Sequence, residues 1–197
     1  MGLLDGKKGL IFGVANDRSI AWHIAKNLID HGATCAFSHL PGEKMERRVR
    51  RTLEDGNVKD AWLYRCDVSS DEDIDKLFDA VRGELDAIDF VVHSVAFADR
   101  EYLKMGNFSQ TPRAVWTQAL DISAYTLVGI ANRARAIMPN GGSIVSLSYY
   151  GAEKVVPGYN VMGVAKAALE TATRYLAAEM GASNIRVNTL SAGPCRT

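Results

Sequence analysis

The chain has 197 residues, 47% of them hydrophobic and 23% charged, the balance of an ordinary globular protein large enough to bury a core. Lys plus Arg number 23 and Asp plus Glu number 23, so no net charge recommends nucleic acid or an anionic membrane as a partner. No apolar run approaches the roughly 18 residues of a membrane span, and the polar opening Met1 to Lys8 does not read as a secretory leader.

Short apolar runs alternate with longer amphipathic stretches. Lys8 to Gly13 predicts a buried strand ending in glycine. Ser19 to His31 predicts a helix, with Ile20, Ile24 and Leu28 on one face and Gly32 as its stop. A strand at 34–38, a charged helix at 43–53 and a strand at 61–66 follow. A helix is predicted at 70–82 with Ser70 as its cap, then a strand at 88–93. Thr111 to Ile137 reads as one long helix, with Pro112 near its first turn. Strands at 142–148 and 184–190 flank a helix at 160–181.

The strands are apolar on both faces, as in a parallel sheet covered on two sides. The alternation therefore predicts a Rossmann-like, doubly wound α/β fold with helices on both faces. No internal linker is visible, so residues 1–197 read as one domain. The last residues, Ser191 to Thr197, form a loop straight after a strand. A further helix and edge strand are expected there, so the C-terminal part of the domain is expected to be missing from this chain. Cys35, Cys66 and Cys195 are scattered, with no C-x-x-C pair and no His at ligand spacing. They read as free thiols in a reducing cytosol, and no metal site is expected.

In such sheets ligands bind beyond the carboxyl ends of the strands, where strand order reverses. The first such loop is Gly13-Val14-Ala15-Asn16-Asp17-Arg18-Ser19-Ile20-Ala21. Gly13 allows a close backbone approach, and the helix beginning near Ser19 offers unpaired N–H groups to a pyrophosphate. The loop is not G-x-G-x-x-G, so Gly13 as a plain tight turn and Ser19 as a plain N-cap stay open. The second strand ends in Ser38-His39-Leu40-Pro41, with neither an acid for a ribose 2′-hydroxyl nor an Arg for a 2′-phosphate. Arg47 and Arg48 follow on a helix that reads as a solvated face, which favours NADH over NADPH. Asp67 and Val68 end the third strand and suit an adenine amino group and ring, or else a local turn. His93 to Ala98 end the fourth strand in small residues over which a cofactor could lie; His93 itself reads as structural.

Tyr159 and Lys166 are seven residues apart, about two turns, and so share a helix face. A nearby ammonium is expected to lower the phenol's pKa, equipping it to donate to a developing oxyanion. A packing Tyr and a surface Lys are the alternative. Their place at the carboxyl edge of a nucleotide-binding sheet favours chemistry.

With these residues in view, the chain resembles the divergent branch of the short-chain dehydrogenase/reductases. Gly13-x5-Ser19-x-Ala21 is similar to that branch's cofactor motif, and Tyr159-x-x-Met162-x-x-x-Lys166 to its active-site motif. Ser148-Tyr149, Gly151-Ala152-Glu153 and Ser191-Ala192-Gly193-Pro194 extend the likeness to the bacterial NADH-dependent enoyl-[acyl-carrier-protein] reductases of type II fatty-acid synthesis. The likeness runs from Lys7 to Thr197.

The resemblance implies roles. Gly13, Ser19 and Ile20 would line the pyrophosphate and ribose, and Leu40 the adenosine ribose, where many relatives carry a polar residue. Asp67 and Val68 would hold adenine. Ser94, Val95 and Ile122 would border the cofactor, and Ala98 would face the substrate. Ala192, Gly193, Pro194 and Cys195 would contact the nicotinamide end. Tyr159 would bond the thioester carbonyl, Lys166 the nicotinamide ribose, and Tyr149 would be the second family tyrosine. The implied reaction is reduction of a trans-2-enoyl thioester carried by acyl carrier protein, in a cytoplasmic homotetramer. Two other readings stand beside it. One is a 3-ketoacyl or other carbonyl reductase, with Ser146 thirteen residues before Tyr159 as its serine. The other is a non-catalytic dinucleotide-binding regulator.

Overall fold

The computed structural model describes residues 2–193. Six strands form one parallel sheet: β1 (Lys8–Phe12), β2 (Thr34–His39), β3 (Leu63–Arg65), β4 (Phe90–His93), β5 (Gly142–Tyr149) and β6 (Ile185–Ala192). Their order is β3-β2-β1-β4-β5-β6, so the winding reverses between β1 and β4. The helices are α1 (Ile20–Asp30), α2 (Glu43–Asp55), α3 (Asp71–Leu85), α4 (Arg113–Leu120), α5 (Thr126–Arg135) and α6 (Asn160–Met180).

The pleat of β1 explains the two layers. Successive side chains of a strand point to opposite faces. Leu10 and Phe12 pack with α3, α5 and α6, whereas Ile11 packs with α1 and α2. All three are fully buried. Both faces of β1 are covered by apolar side chains and carry no buried polar group, which is why this stretch of the sequence shows an unbroken apolar run.

Element types agree with the sequence reading, and boundaries move. The Ser70 hydroxyl caps α3 by accepting from the Asp73 N–H at 3.2 Å. That helix continues to Leu85, beyond the expected Arg82, and stops where Asp86 adopts a φ of +66°. The third strand is only Leu63–Arg65. One expectation fails outright. The helix expected over 111–137 is broken into α4 and α5 by a π-helical turn at Asp121–Tyr125, with Pro112 as the N-cap of α4. Hydrophobic periodicity cannot register one inserted turn of different pitch.

Candidate active site

The reversal between β1 and β4 opens a crevice beyond their carboxyl ends. A cavity of about 270 Å³ lies there. Gly13 forms its floor with a φ of +99°, and a Cβ added there would sit 2.0 Å from the Ser94 carbonyl oxygen. Only glycine meets both demands, so the first loop and the loop after β4 touch through backbone. The cavity wall gathers seven of the expected residues: Gly13, Leu40, Asp67, Val68, Ser94, Val95 and Ile122.

Ser19 precedes α1, but its hydroxyl does not cap the helix. Ser19 Oγ instead accepts from the Ala15 and Asn16 N–H groups, each at 3.0 Å. The plain N-cap reading is therefore corrected. The serine folds the loop back on itself; its carbonyl takes the Trp22 and His23 N–H groups, and the Ile20 and Ala21 N–H groups at the start of α1 keep no intrahelical partner. At the tip of β2, Leu40 is half-exposed and lines the cavity beside His39 and Met45. Lys44, Arg47 and Arg48 are exposed and do not line it.

Asp67 serves the local turn that was the alternative to adenine binding. Its Oδ1 accepts from the Ser69 N–H at 2.9 Å and the Ser69 hydroxyl at 2.7 Å. Its Oδ2 takes no hydrogen bond among the described residues and remains available. Burial pushes the Cys66 thiol beside it up to about 12, so this cavity cysteine is an unreactive thiol.

The loop after β4 is pinned by a contact that the sequence did not signal. Ser123, fully buried in the π-helical turn, accepts from the Phe97 N–H at 3.0 Å and donates to the Phe97 carbonyl at 3.1 Å. Both backbone groups of one residue are thus satisfied by one hydroxyl. The π-turn also sets Ile122 in the cavity wall. His93 is structural as expected: it is fully buried, its Nε2 pairs with Thr126 Oγ1 at 2.8 Å, and burial pushes it down to about 3. Ala98 is half-buried at the far end of the loop and outside the cavity lining.

A second group of residues gathers where β5, β6 and α6 meet. Tyr149 ends β5 and pairs in register with Ala192 of β6, next to Gly193. Tyr159 stands at the N-terminus of α6, its ring edge-on to Tyr149 with centroids 4.9 Å apart. Gly151 packs beneath it: a Cβ there would lie 2.4 Å from the Tyr159 ring. Gly163 in turn faces the Gly151 carbonyl, where a Cβ would lie at 2.7 Å. Two glycines thus let the turn after β5 seat against α6 and fix the ring. A cavity of about 440 Å³ opens beside Tyr159, walled by Phe108, Val156 and Val164.

Lys166 is buried behind this pair and donates to the Leu147 carbonyl at 2.6 Å. Burial lowers it to about 8, with the nearby Glu170 charge opposing that fall. Here the electrostatic expectation is overturned. Burial, with the Tyr149 phenol adding to it, raises Tyr159 to about 12. Loss of solvent outweighs any help from Lys166, whose ammonium is turned to a backbone oxygen.

Ser146, the serine of the carbonyl-reductase reading, is fully buried in the sheet. Its hydroxyl pairs with Thr189 at 2.8 Å, in a cluster that also holds Thr173 of α6. It braces β5, β6 and α6. Pro194 and Cys195 lie outside the described residues. The sequence reading missed His39, Met45 and Phe97 as cavity residues and Ser123 as the loop clamp. The signals were Met45's place in the first turn after the β2 tip and, for Ser123, none.

A family model described as enoyl-(acyl carrier protein) reductase matches residues 13–197. The NADH enoyl-[acyl-carrier-protein] reductase FabI of Nostoc sp. is 48% identical over 196 residues, covering 98% of this chain and 75% of that protein. Among solved structures, the enoyl-(acyl-carrier-protein) reductase of Anaplasma phagocytophilum in complex with NAD superposes with a TM-score of 0.94. It is 49% identical, and the match covers all of this chain and 73% of that one. The Bacillus cereus enoyl-acyl carrier protein reductase with NADP+ and indole naphthyridinone gives a TM-score of 0.96 at 45% identity, covering all of this chain and 76% of that one.

Proposed function

This chain belongs to the enoyl-(acyl carrier protein) reductase family, and from that premise we infer that it reduces trans-2-enoyl-[acyl-carrier-protein] to the saturated acyl thioester with NADH. The step belongs to type II fatty-acid synthesis. The observation that carries the reading at the level of the site is the half-buried Tyr159, set edge-on to Tyr149, with the buried Lys166 further along the same helix.

The residues fit a dinucleotide. The backbone contact of Gly13 with Ser94 leaves a cradle that a Cβ would fill, α1 presents unpaired N–H groups, and Val68, Val95 and Ile122 offer apolar walls to an adenine and its ribose. We assign Gly13, Ser19, Ile20, Leu40, Asp67, Val68, Ser94, Val95, Ile122, Ala192 and Gly193 to holding it. Lys166 keeps two of its three N–H donors after bonding Leu147, enough for ribose hydroxyls. The bound NADH supplies hydride to the β-carbon of the enoyl chain.

As hydride reaches that carbon, the double bond shifts and negative charge collects on the thioester oxygen as an enolate. Tyr159 stabilises that oxygen by donating a hydrogen bond. Its raised pKa suits this task, because a donor must keep its proton. The proton that completes the reaction goes to the α-carbon, from solvent, and Tyr159 gives none up. A ketone reductase needs the opposite, a group that surrenders its proton to an alkoxide oxygen. Ser146, buried and paired with Thr189, offers no second donor for that chemistry. Tyr149 shapes the pocket and orients Tyr159.

The proposal carries acyl carrier protein as the partner and a cytoplasmic homotetramer as the working form. Family membership supports the partner and the compartment. Half-exposed or exposed Tyr125, Val128 and Tyr175 on α5, α6 and the π-turn between α4 and α5 support a subunit contact. A spectrophotometric assay of NADH oxidation with trans-2-enoyl and 3-ketoacyl thioesters tests the function. Turnover of the enoyl substrate alone is expected; turnover of the 3-ketoacyl substrate alone would reverse the assignment.

A further inference from the structure

Three successive residues of β5 each hold a part of the site. The Leu147 carbonyl accepts from the Lys166 ammonium at 2.6 Å. Tyr149 carries the edge contact to Tyr159. Between them Ser148, only 4% exposed, donates to Glu170 Oε1 at 2.5 Å. That last contact has no part in the mechanism above. Glu170 lies four residues beyond Lys166 on α6, so the two side chains rise from the same face one turn apart. The carboxylate is half-buried and fixed by a serine that is itself immobilised in the sheet.

We propose that Glu170 is a positioning residue for Lys166: Ser148 holds its carboxylate one helical turn beyond the buried ammonium, where it serves as that cation's counter-charge. The inference rests on the reading of Lys166 as a cofactor-binding cation.

The surroundings leave the task to Glu170. On β4, His93 is driven to about 3 by burial and by Lys166 itself, so it is neutral at working pH. Tyr159, at the start of α6, is held up at about 12 and stays a phenol. The Leu147 contact is a neutral carbonyl. Among the described residues, Glu170 is the one charged group acting on Lys166, and it opposes the effect of burial. A buried ammonium without a counter-charge gives up its proton instead of staying charged. Ser148 matters because an unpinned glutamate on a half-buried helix face turns toward water, where its field on Lys166 is screened.

The test is a titration of the Lys166 side chain by NMR of the ¹³Cε-lysine-labelled chain, the resonance assigned by its loss in Lys166→Arg. Glu170→Gln keeps an oxygen for Ser148 and removes only the charge. Its Lys166 midpoint is expected to fall by about one pH unit, a tenfold drop in the ammonium-to-amine ratio. Glu170→Asp, which restores the charge on a shorter arm, is expected to recover part of that shift. Ser148→Ala is a milder variant that keeps the carboxylate, and a smaller fall in the same direction is expected. Midpoints unchanged in both Glu170→Gln and Ser148→Ala overturn the proposal. The readout needs no substrate. A shifted midpoint in a chain that fails to reduce any enoyl thioester would uphold the role of Glu170 while removing the proposed function.

Discussion

Tyr149 and Tyr159 meet edge to face, their ring centroids 4.9 Å apart and their planes at 73°. The first ends a strand and the second begins a helix, so neither ring can shift without moving the junction between sheet and α6. This arrangement gives the two phenols unequal work. Both are half-buried; Tyr159 is the one whose proton is held, and Tyr149 is the edge that holds its ring.

Tyr159→Phe is expected to lower kcat for a trans-2-enoyl thioester by about 10²–10³-fold, the usual loss of one hydrogen bond to a developing oxyanion. NADH affinity should stay near normal, because the phenol is assigned to substrate. Tyr149→Phe keeps the ring contact and should cost less than tenfold, or about 1.4 kcal/mol. Steady-state kinetics of both variants decide the matter. Equal losses would mean that the hydroxyls act together on the same oxygen.

The sequence revealed this pair, but not its electrostatics. The Tyr159 to Lys166 spacing is a local property of one helix, and it put Tyr159 at the N-cap of α6 and Lys166 within it. The direction of the Tyr159 shift depends on what covers the ring and where the ammonium points. Both are set by Leu147, Tyr149 and Gly151, which lie on another element. The same limit explains the long helix. Apolar positions recur steadily from Ala114 to Ile137, and only tertiary demand, the Ser123 clamp on Phe97 and the seating of Ile122, reveals the π-turn. The strands, whose signal is a plain apolar run, were legible to within two residues at either end, β3 losing most.

Ser123→Ala tests that clamp. It leaves the Phe97 N–H and carbonyl without their partner, a loss of about 1–3 kcal/mol in unfolding free energy. The damage should concentrate in the loop between β4 and α4. Amide exchange of residues 94–98 is expected to speed up while the core of β1 and β4 stays protected. The KM for enoyl thioester should rise more than kcat falls, since the loop borders the site and carries no reacting group. Ser123→Thr, which retains the hydroxyl, should behave closer to the parent. Uniform loss of protection across the sheet would assign Ser123 to global stability instead.

Coenzyme preference follows from the tip of β2. Leu40 lines the cavity with His39 and Met45, while Lys44, Arg47 and Arg48 point to solvent. A 2′-phosphate lodged there would lose water without gaining a fixed cation. The kcat/KM with NADH is expected to exceed that with NADPH by at least about tenfold, or ~1.4 kcal/mol. Leu40→Arg should narrow the gap by supplying a charge-assisted partner. Equal use of both coenzymes by the parent chain would show that one of the three exposed cations swings in to meet the phosphate.

Lys166 ties function to pH through its burial. The fold lowers its pKa from 10.5 to about 8. Below about 8 the folded and unfolded chains both carry the proton, and the folded state bears the full cost of a buried charge. Between about 8 and 10.5 the unfolded chain still binds a proton that the folded chain has released, so this group makes stability rise with pH. Above that window both states are neutral and the contribution is level. Urea unfolding at about pH 7 and about pH 10 should therefore show a gain for the parent chain over Lys166→Met of about 2–3 kcal/mol. The comparison with Lys166→Met cancels every other group that titrates in the same range. Affinity for NADH should run the other way. As the ammonium is lost around pH 8, a charged donor to the ribose becomes a neutral amine, and calorimetric binding is expected to weaken across that midpoint in the parent chain alone. Lys166→Met should bind NADH weakly at every pH, with no inflection. An affinity that is level across pH 8 in the parent would remove Lys166 from the cofactor site, even if the unfolding data behaved as expected.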